Sequence, residues 1–140
     1  MSVPELSVQI KNSPGQLVRI TTILAEAGVN IRGLAASSAG KVGWVRLLVD
    51  QTKVAEEALE ECGIAVDTGE AVAVYLVDEA GAVDGALRTL ADDKMNVDYV
   101  YTAGTGPGGK ILTVMGVATP GKAEKTLKAV GIEIADLPNI

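Results

Sequence analysis

The stretch LSVQIKNSPGQLVRITTILAEAGVNI, residues 6–31, decides the fold. Its first five residues, Leu6-Ser7-Val8-Gln9-Ile10, alternate apolar and polar, the pattern of a half-buried strand. Asn12-Ser13-Pro14-Gly15 is a turn signal. Leu17, Ile20, Leu24 and Ala27 or Ile23 then recur at helical spacing, and Gly28 stops the helix. A second strand follows from Val29 to Ser37.

Working outward, Ser38-Ala39-Gly40-Lys41 reads as a hairpin turn and Val42 to Val49 as a third strand. Thr52 to Glu61 reads as a second helix. Val54, Ala55, Ala58, Leu59 and Cys62 form its apolar face, and Glu56, Glu57, Glu60 and Glu61 lie outside. Gly63 ends it, and Ile64–Val66 is expected to be a short fourth strand. Strand-helix-strand-strand-helix-strand is the ferredoxin-like order, an antiparallel sheet with both helices on one face.

The chain then repeats itself. Shifted by 66 residues, Val8 falls on Val74, Gly15 on Gly81, Leu24 on Leu90 and Asn30 on Asn96. In the later half of each copy the shift becomes 68, so that Val49 meets Val117, Leu59 meets Leu127 and Gly63 meets Gly131. The two extra residues fall in Gly104–Gly109. The second copy is expected to run as strand Val72–Val77, helix Ala82–Lys94, strands Val97–Thr102 and Ile111–Val117, a helix from Pro120 with Leu127 and Val130 facing inward, and strand Ile132–Ile134. Asp67–Glu70 is the expected link. The fold class is therefore α+β, two tandem ferredoxin-like βαββαβ units at residues 1–68 and 69–140.

Composition narrows the chemistry. Of 140 residues, 48% are hydrophobic and none is Phe, so the core is aliphatic. A copy of about 70 residues has a marginal core alone, so the copies are expected to pack together and the chain to form a homodimer. The net charge is −6, with no Lys/Arg run, which argues against a nucleic-acid partner. No apolar run has transmembrane length and the N-terminus carries no signal-peptide pattern. A cytoplasmic protein without membrane attachment is expected. With no His and only Cys62, a zinc site of the usual ligands is not expected, and a Ser-His-Asp triad and a Cys-His pair cannot be built. No metal, cofactor or catalytic residue is expected, and the chain is read as not an enzyme.

The most informative loop is Asn12-Ser13-Pro14-Gly15-Gln16-Leu17, between a strand and a helix. Unpaired N–H groups at a helix start favour a carboxylate or phosphate, Gly15 permits close approach, and Asn12 offers both a donor and an acceptor. The alternative reading is that Asn12 or Ser13 simply caps the helix.

The run Asn-Ser-Pro-Gly-Gln-Leu, the helix end Ala25-Glu26-Ala27-Gly28 and the following Val29-Asn30-Ile31 together resemble the ACT domain family. The resemblance spans the chain as two tandem copies with no catalytic domain attached. It implies a regulatory module that binds an amino acid between two such units, with Asn12, Ser13, Pro14, Gly15, Gln16 and Leu17 from the loop and Asn30 and Ile31 from the second strand. In the second copy the matching positions are Asp78, Gly81, Ala82, Val83, Asn96 and Val97. There Pro14 is replaced by Ala80 and Gly28 by Lys94, so the copies are not expected to be equal, and Asp78 either meets an ammonium or caps its helix. The implied function is an amino-acid sensor acting on a metabolic enzyme. The alternative is a structural regulatory subunit that contacts an enzyme through its sheets without a ligand.

Five further features have plain readings. Gly104–Gly109 is a flexible hairpin, not a phosphate loop. Trp44 packs in a core or interface, or else walls an amino-acid site. Tyr99 and Tyr101 share a face. Arg32 and Arg46 are expected to pair with acidic neighbours rather than with a ligand carboxylate, and Cys62 is a core residue.

Overall fold

A computed structural model describes residues 2–136 and 140. The elements run β1 (Val3–Lys11), α1 (Gln16–Glu26), β2 (Ile31–Ala39), β3 (Val42–Val49), α2 (Thr52–Glu61), β4 (Asp67–Leu76), α3 (Ala82–Asp92), β5 (Val97–Thr105), β6 (Ile111–Val117), α4 (Pro120–Ala129) and β7 (Glu133–Ile134). The chain divides into two compact units, Pro4–Gly69 and Glu70–Ile140, with residues 2–3 grouped with the latter.

In the first unit β3 lies between β1 and β2, antiparallel to both. Leu6 and Val8 of β1 and Val45, Leu47 and Val49 of β3 alternate onto one face. Ile20 and Leu24 of α1 and Ala55 and Leu59 of α2 close over that face in one buried cluster, which Val29 and Ile64 complete. In the second unit the order is β5-β6-β4-β7, antiparallel throughout. Val72, Val74, Leu76, Met115 and Val117 face Ala86 and Leu90 of α3 and Ala123 and Leu127 of α4. The two clusters use equivalent positions, so the duplication extends to the packing.

The boundaries of β3, α2 and β6 coincide with those the pattern predicts. The second strand starts later than predicted, at Ile31. The reason is the helix exit. Gly28, at φ 74°, gives its N–H to Ala25 O, and Val29 N bonds back to Leu24 O at 3.0 Å. That six-to-one bond folds Val29 into the core before the strand begins.

Three expectations fail. Ile64–Val66 forms no strand of its own, and Asp67–Glu70 is not a link. Ile64 N bonds to Leu59 O, which drops Ile64 into the core. Extended pairing geometry starts only at Asp67 and continues without a break to Leu76. The helix faces also differ at their edges. Val54 is exposed because it sits more than a quarter turn from the buried Ala55–Leu59 stripe, and Cys62 and Val130 are exposed because each stands at the C-cap, just past the end of its helix. Glu5, buried, lies 3.7 Å from Arg46, the acidic neighbour expected for that arginine.

Candidate functional site

The loop between β1 and α1 is shaped by one glycine. Gly15 takes φ 86° at the helix N-cap position, in the left-handed region that side-chain-bearing residues avoid. Ser13 N bonds to Lys11 O at 3.0 Å, and the first helical bond runs from Arg19 N to Gly15 O at 3.0 Å. No side chain caps α1, so neither Asn12 nor Ser13 plays that part. Asn12 instead reaches across to the turn between β2 and β3. Its Nδ2 donates to Gly40 O at 2.8 Å and its backbone N–H to Lys41 O at 2.9 Å. One side-chain N–H and the backbone N–H are thus committed to the hairpin, which leaves Oδ1 as an acceptor.

Loop and hairpin enclose a hollow of about 190 Å³, with Asn12, Ser13, Leu17, Ser37 and Trp44 among its walls. Trp44 is 40% exposed and Leu17 37%. Trp44 is therefore not a core residue, and an indole face and an aliphatic side chain stand at the opening. Pro14, Gly15 and Gln16 complete the loop.

Asn30 and Ile31 stand elsewhere. Lys11 and Ala39 both pair with Val42 at one end of β3, whereas Ile31 pairs with Val49 at the other. Eight strand residues separate the ends by about 23 Å. Within one unit the loop and the Asn30–Ile31 pair therefore do not meet. Asn30 closes the strand start instead: its N–H donates to Asp50 Oδ1 at 2.9 Å and its carbonyl accepts from Asp50 N at 3.1 Å.

The second unit repeats the turn's own backbone bonds. Gly81 takes φ 88°, Glu79 N bonds to Val77 O at 2.9 Å, and Gly85 N to Gly81 O at 2.9 Å. No side chain caps α3 either, so Asp78 is not a helix cap. Ala82 lies at the first helical position and Val83, 42% exposed, follows it. Asn96 and Val97 again fall at the far end of the sheet, where Val97 pairs with Val117 and Asn96 Nδ2 donates to Asp98 Oδ1 at 3.0 Å. Tyr99 and Tyr101 share a face as expected, their rings stacked with centroids 6.3 Å apart.

Among the described residues no group of three or more His, Cys, Asp or Glu side chains is gathered to hold a metal ion. No described helix is long and apolar enough to cross a membrane.

The sequence profile of the ACT domain pair family matches residues 1–128 of the chain. The chain belongs to that family. As an ACT domain pair it is a regulatory type of protein, and solved structures share its whole fold. A protein from Bacteroides thetaiotaomicron superposes with a TM-score of 0.88 at 22% identity, covering 96% of this chain and 92% of that one. The ligand-free regulatory subunit of aspartate kinase from Thermus thermophilus superposes with a TM-score of 0.69 at 19% identity, covering 91% and 89%. The corresponding subunit from Thermus flavus gives 0.63 at 19%, again covering 91% and 89%. At these identities the likeness concerns the fold of the ACT domain pair alone. No curated protein matches the sequence.

Proposed function

We propose that this ACT domain pair is a non-catalytic regulator that binds a free amino acid at its first β1–α1 loop and modulates a metabolic enzyme. The observation that carries this reading is the uncapped start of α1 beside an asparagine held on Gly40 by its side-chain amide and on Lys41 by its backbone N–H. The helix-start amides suit the carboxylate of a zwitterion, and Asn12 Oδ1 suits its ammonium. Leu17 and Trp44 stand where a side chain would lie. Asn30 and Ile31 lie at the other end of the sheet, so a ligand touching both sets must sit between two modules. We therefore propose a homodimer in which a loop end meets a strand-start end. The aspartate kinase regulatory subunits of like fold support an enzyme of amino-acid metabolism as the partner. The composition supports a cytoplasmic setting.

The test is a thermal-shift screen with the twenty amino acids. A ligand at about one hundred times its Kd stabilises the native state by about 2.7 kcal/mol. At least one amino acid is expected to raise Tm in the wild type and not in Asn12→Ala. The apo stability of that variant should fall by about 1 kcal/mol or less, since it loses only exposed hydrogen bonds. No shift with any of the twenty, or shifts that Asn12→Ala leaves untouched, refutes the reading. Light scattering with and without the active amino acid checks the homodimer.

A further inference from the structure

A notch recurs in both units beside the first strand, on the other side of the loop from Asn12. It lies between the end of that strand, the start of the following helix and the turn after the second helix. In the first unit it measures about 350 Å³, in the second about 420 Å³. The 66- and 68-residue shifts align the two linings position by position, and the residues differ in kind. Gln9, Lys11, Gln16 and Arg19 in the first unit become Tyr75, Val77, Ala82 and Gly85 in the second.

Arg19 acts as a bar across the first notch. Its Nη2 donates to Cys62 O at 2.7 Å, joining α1 to the turn after α2. The equivalent carbonyl belongs to Val130, and Gly85 has no side chain to reach it. A Cβ built on Gly85 would meet nothing within 4 Å, so the space is open rather than filled by a neighbour. The floor is apolar, with Leu76 and Ala86 buried. In this copy the charge stands at the rim, as a pair the first unit lacks. Lys110 Nζ lies 3.2 Å from Glu133 Oε1, where the first unit has Val42 and Ala65. Both side chains are partly exposed, so the pair is weakly held and can exchange its partners.

We propose that this second-unit notch is a binding site for a small zwitterion with an aliphatic body, separate from the first loop. The aliphatic part fills the space that Arg19 bars in the first unit. The carboxylate meets Lys110 and the ammonium meets Glu133. The volume lies in the range of about 300–1,000 Å³ usual for small-molecule sites, and apolar walls with a few convergent charges are their usual lining. The proposal does not depend on the first loop binding anything.

The test is a titration of the isotope-labelled full chain with L-leucine, followed at the amide signals of Gly85, Thr89 and Gly131. These signals should move and saturate in the wild type, in Asn12→Ala and in Gly85→Ala. Gly85→Arg, which restores the bar of the first unit, should weaken binding by about tenfold or more. Two fragments, 4-methylpentanoate and 3-methylbutylamine, each lack one charged group and should bind about tenfold more weakly than L-leucine. If Gly85→Arg does not fold, Glu133→Gln serves in its place: it should weaken L-leucine but not 4-methylpentanoate. Absence of any movement with L-leucine overturns the proposal. So does unweakened binding in the folded variant. Movement that vanishes in Asn12→Ala assigns L-leucine to the first loop and overturns it too.

Discussion

Lys94 is the one non-glycine residue with positive φ among those described, at 57°. It occupies the place that Gly28 holds in the first unit. Its N–H bonds to Ala91 O and Met95 N to Leu90 O, both at 2.9 Å, the same helix exit that Gly28 and Val29 make. A side-chain-bearing residue in this conformation costs about 1–2 kcal/mol. Lys94→Gly removes that cost. Against it stand about 0.5–1 kcal/mol for the greater freedom of glycine in the unfolded chain. A further loss of about 0.3 kcal/mol comes from taking a cation away from the C-terminus of α3. The net expectation is a gain of about 0.5 kcal/mol, or about 2 °C in Tm for a chain of this size. Two controls separate backbone from charge. Lys94→Ala keeps the strained conformation and loses the charge, so it should be neutral or slightly destabilising. Gly28→Ala imposes the strain on the first unit and should cost about 1 kcal/mol. Urea and thermal unfolding followed by circular dichroism read all three. If Lys94→Gly and Lys94→Ala shift stability equally and in the same direction, the backbone argument is wrong.

Two other substitutions probe the packing. Gly106→Ala would set a Cβ 2.2 Å from Cε1 of the buried Tyr75 ring, so it should cost about 1–3 kcal/mol in urea unfolding, while Gly69→Ala, with open space around it, should cost far less. Leu24→Ala and Leu90→Ala remove equivalent, fully buried side chains, one from each core, and each should cost about 2–5 kcal/mol by the same measurement.

Much of the fold was legible because the hydrophobic pattern is strong and occurs twice. Val42–Val49 and Thr52–Glu61 are bounded by turn residues on both sides, and their limits came out as read. The misreadings lie where a local bond overrides the pattern. Val29 and Ile64 look like strand starts by hydrophobicity, yet each is held by a bond to the helix it has just left. Cys62 and Val130 are apolar but stand just past the last buried turn, where composition says nothing about direction. At the candidate site the loop was visible as a motif. Its mechanics were not, because Asn12 acts on Gly40, 28 residues away, a contact that only the pairing of β1 with β3 creates. The separation of Asn12 from Asn30 follows from strand direction and was available in principle from the element order. The notch at Gly85 left one trace, the substitution of glycine for Arg19 under the repeat shift, which gains meaning only once Arg19 is seen on Cys62.

The contact between Tyr75 and Gly106 bears on how a duplicated gene ages. Tyr75 replaces Gln9 on the first strand of its unit, and Gly106 belongs to the hairpin that is two residues longer than its counterpart. The ring fits only because position 106 carries no side chain. Recombination between the two halves of the gene can move either segment alone. Moving the hairpin without the strand delivers a glycine-rich loop with no ring to lie on. Moving the strand without the hairpin sets a tyrosine beside a turn that was never shaped for it. Each such matched pair makes exchange between the halves more harmful. A few of them are enough to let twin sequences drift into separate roles while their shared architecture stays in place.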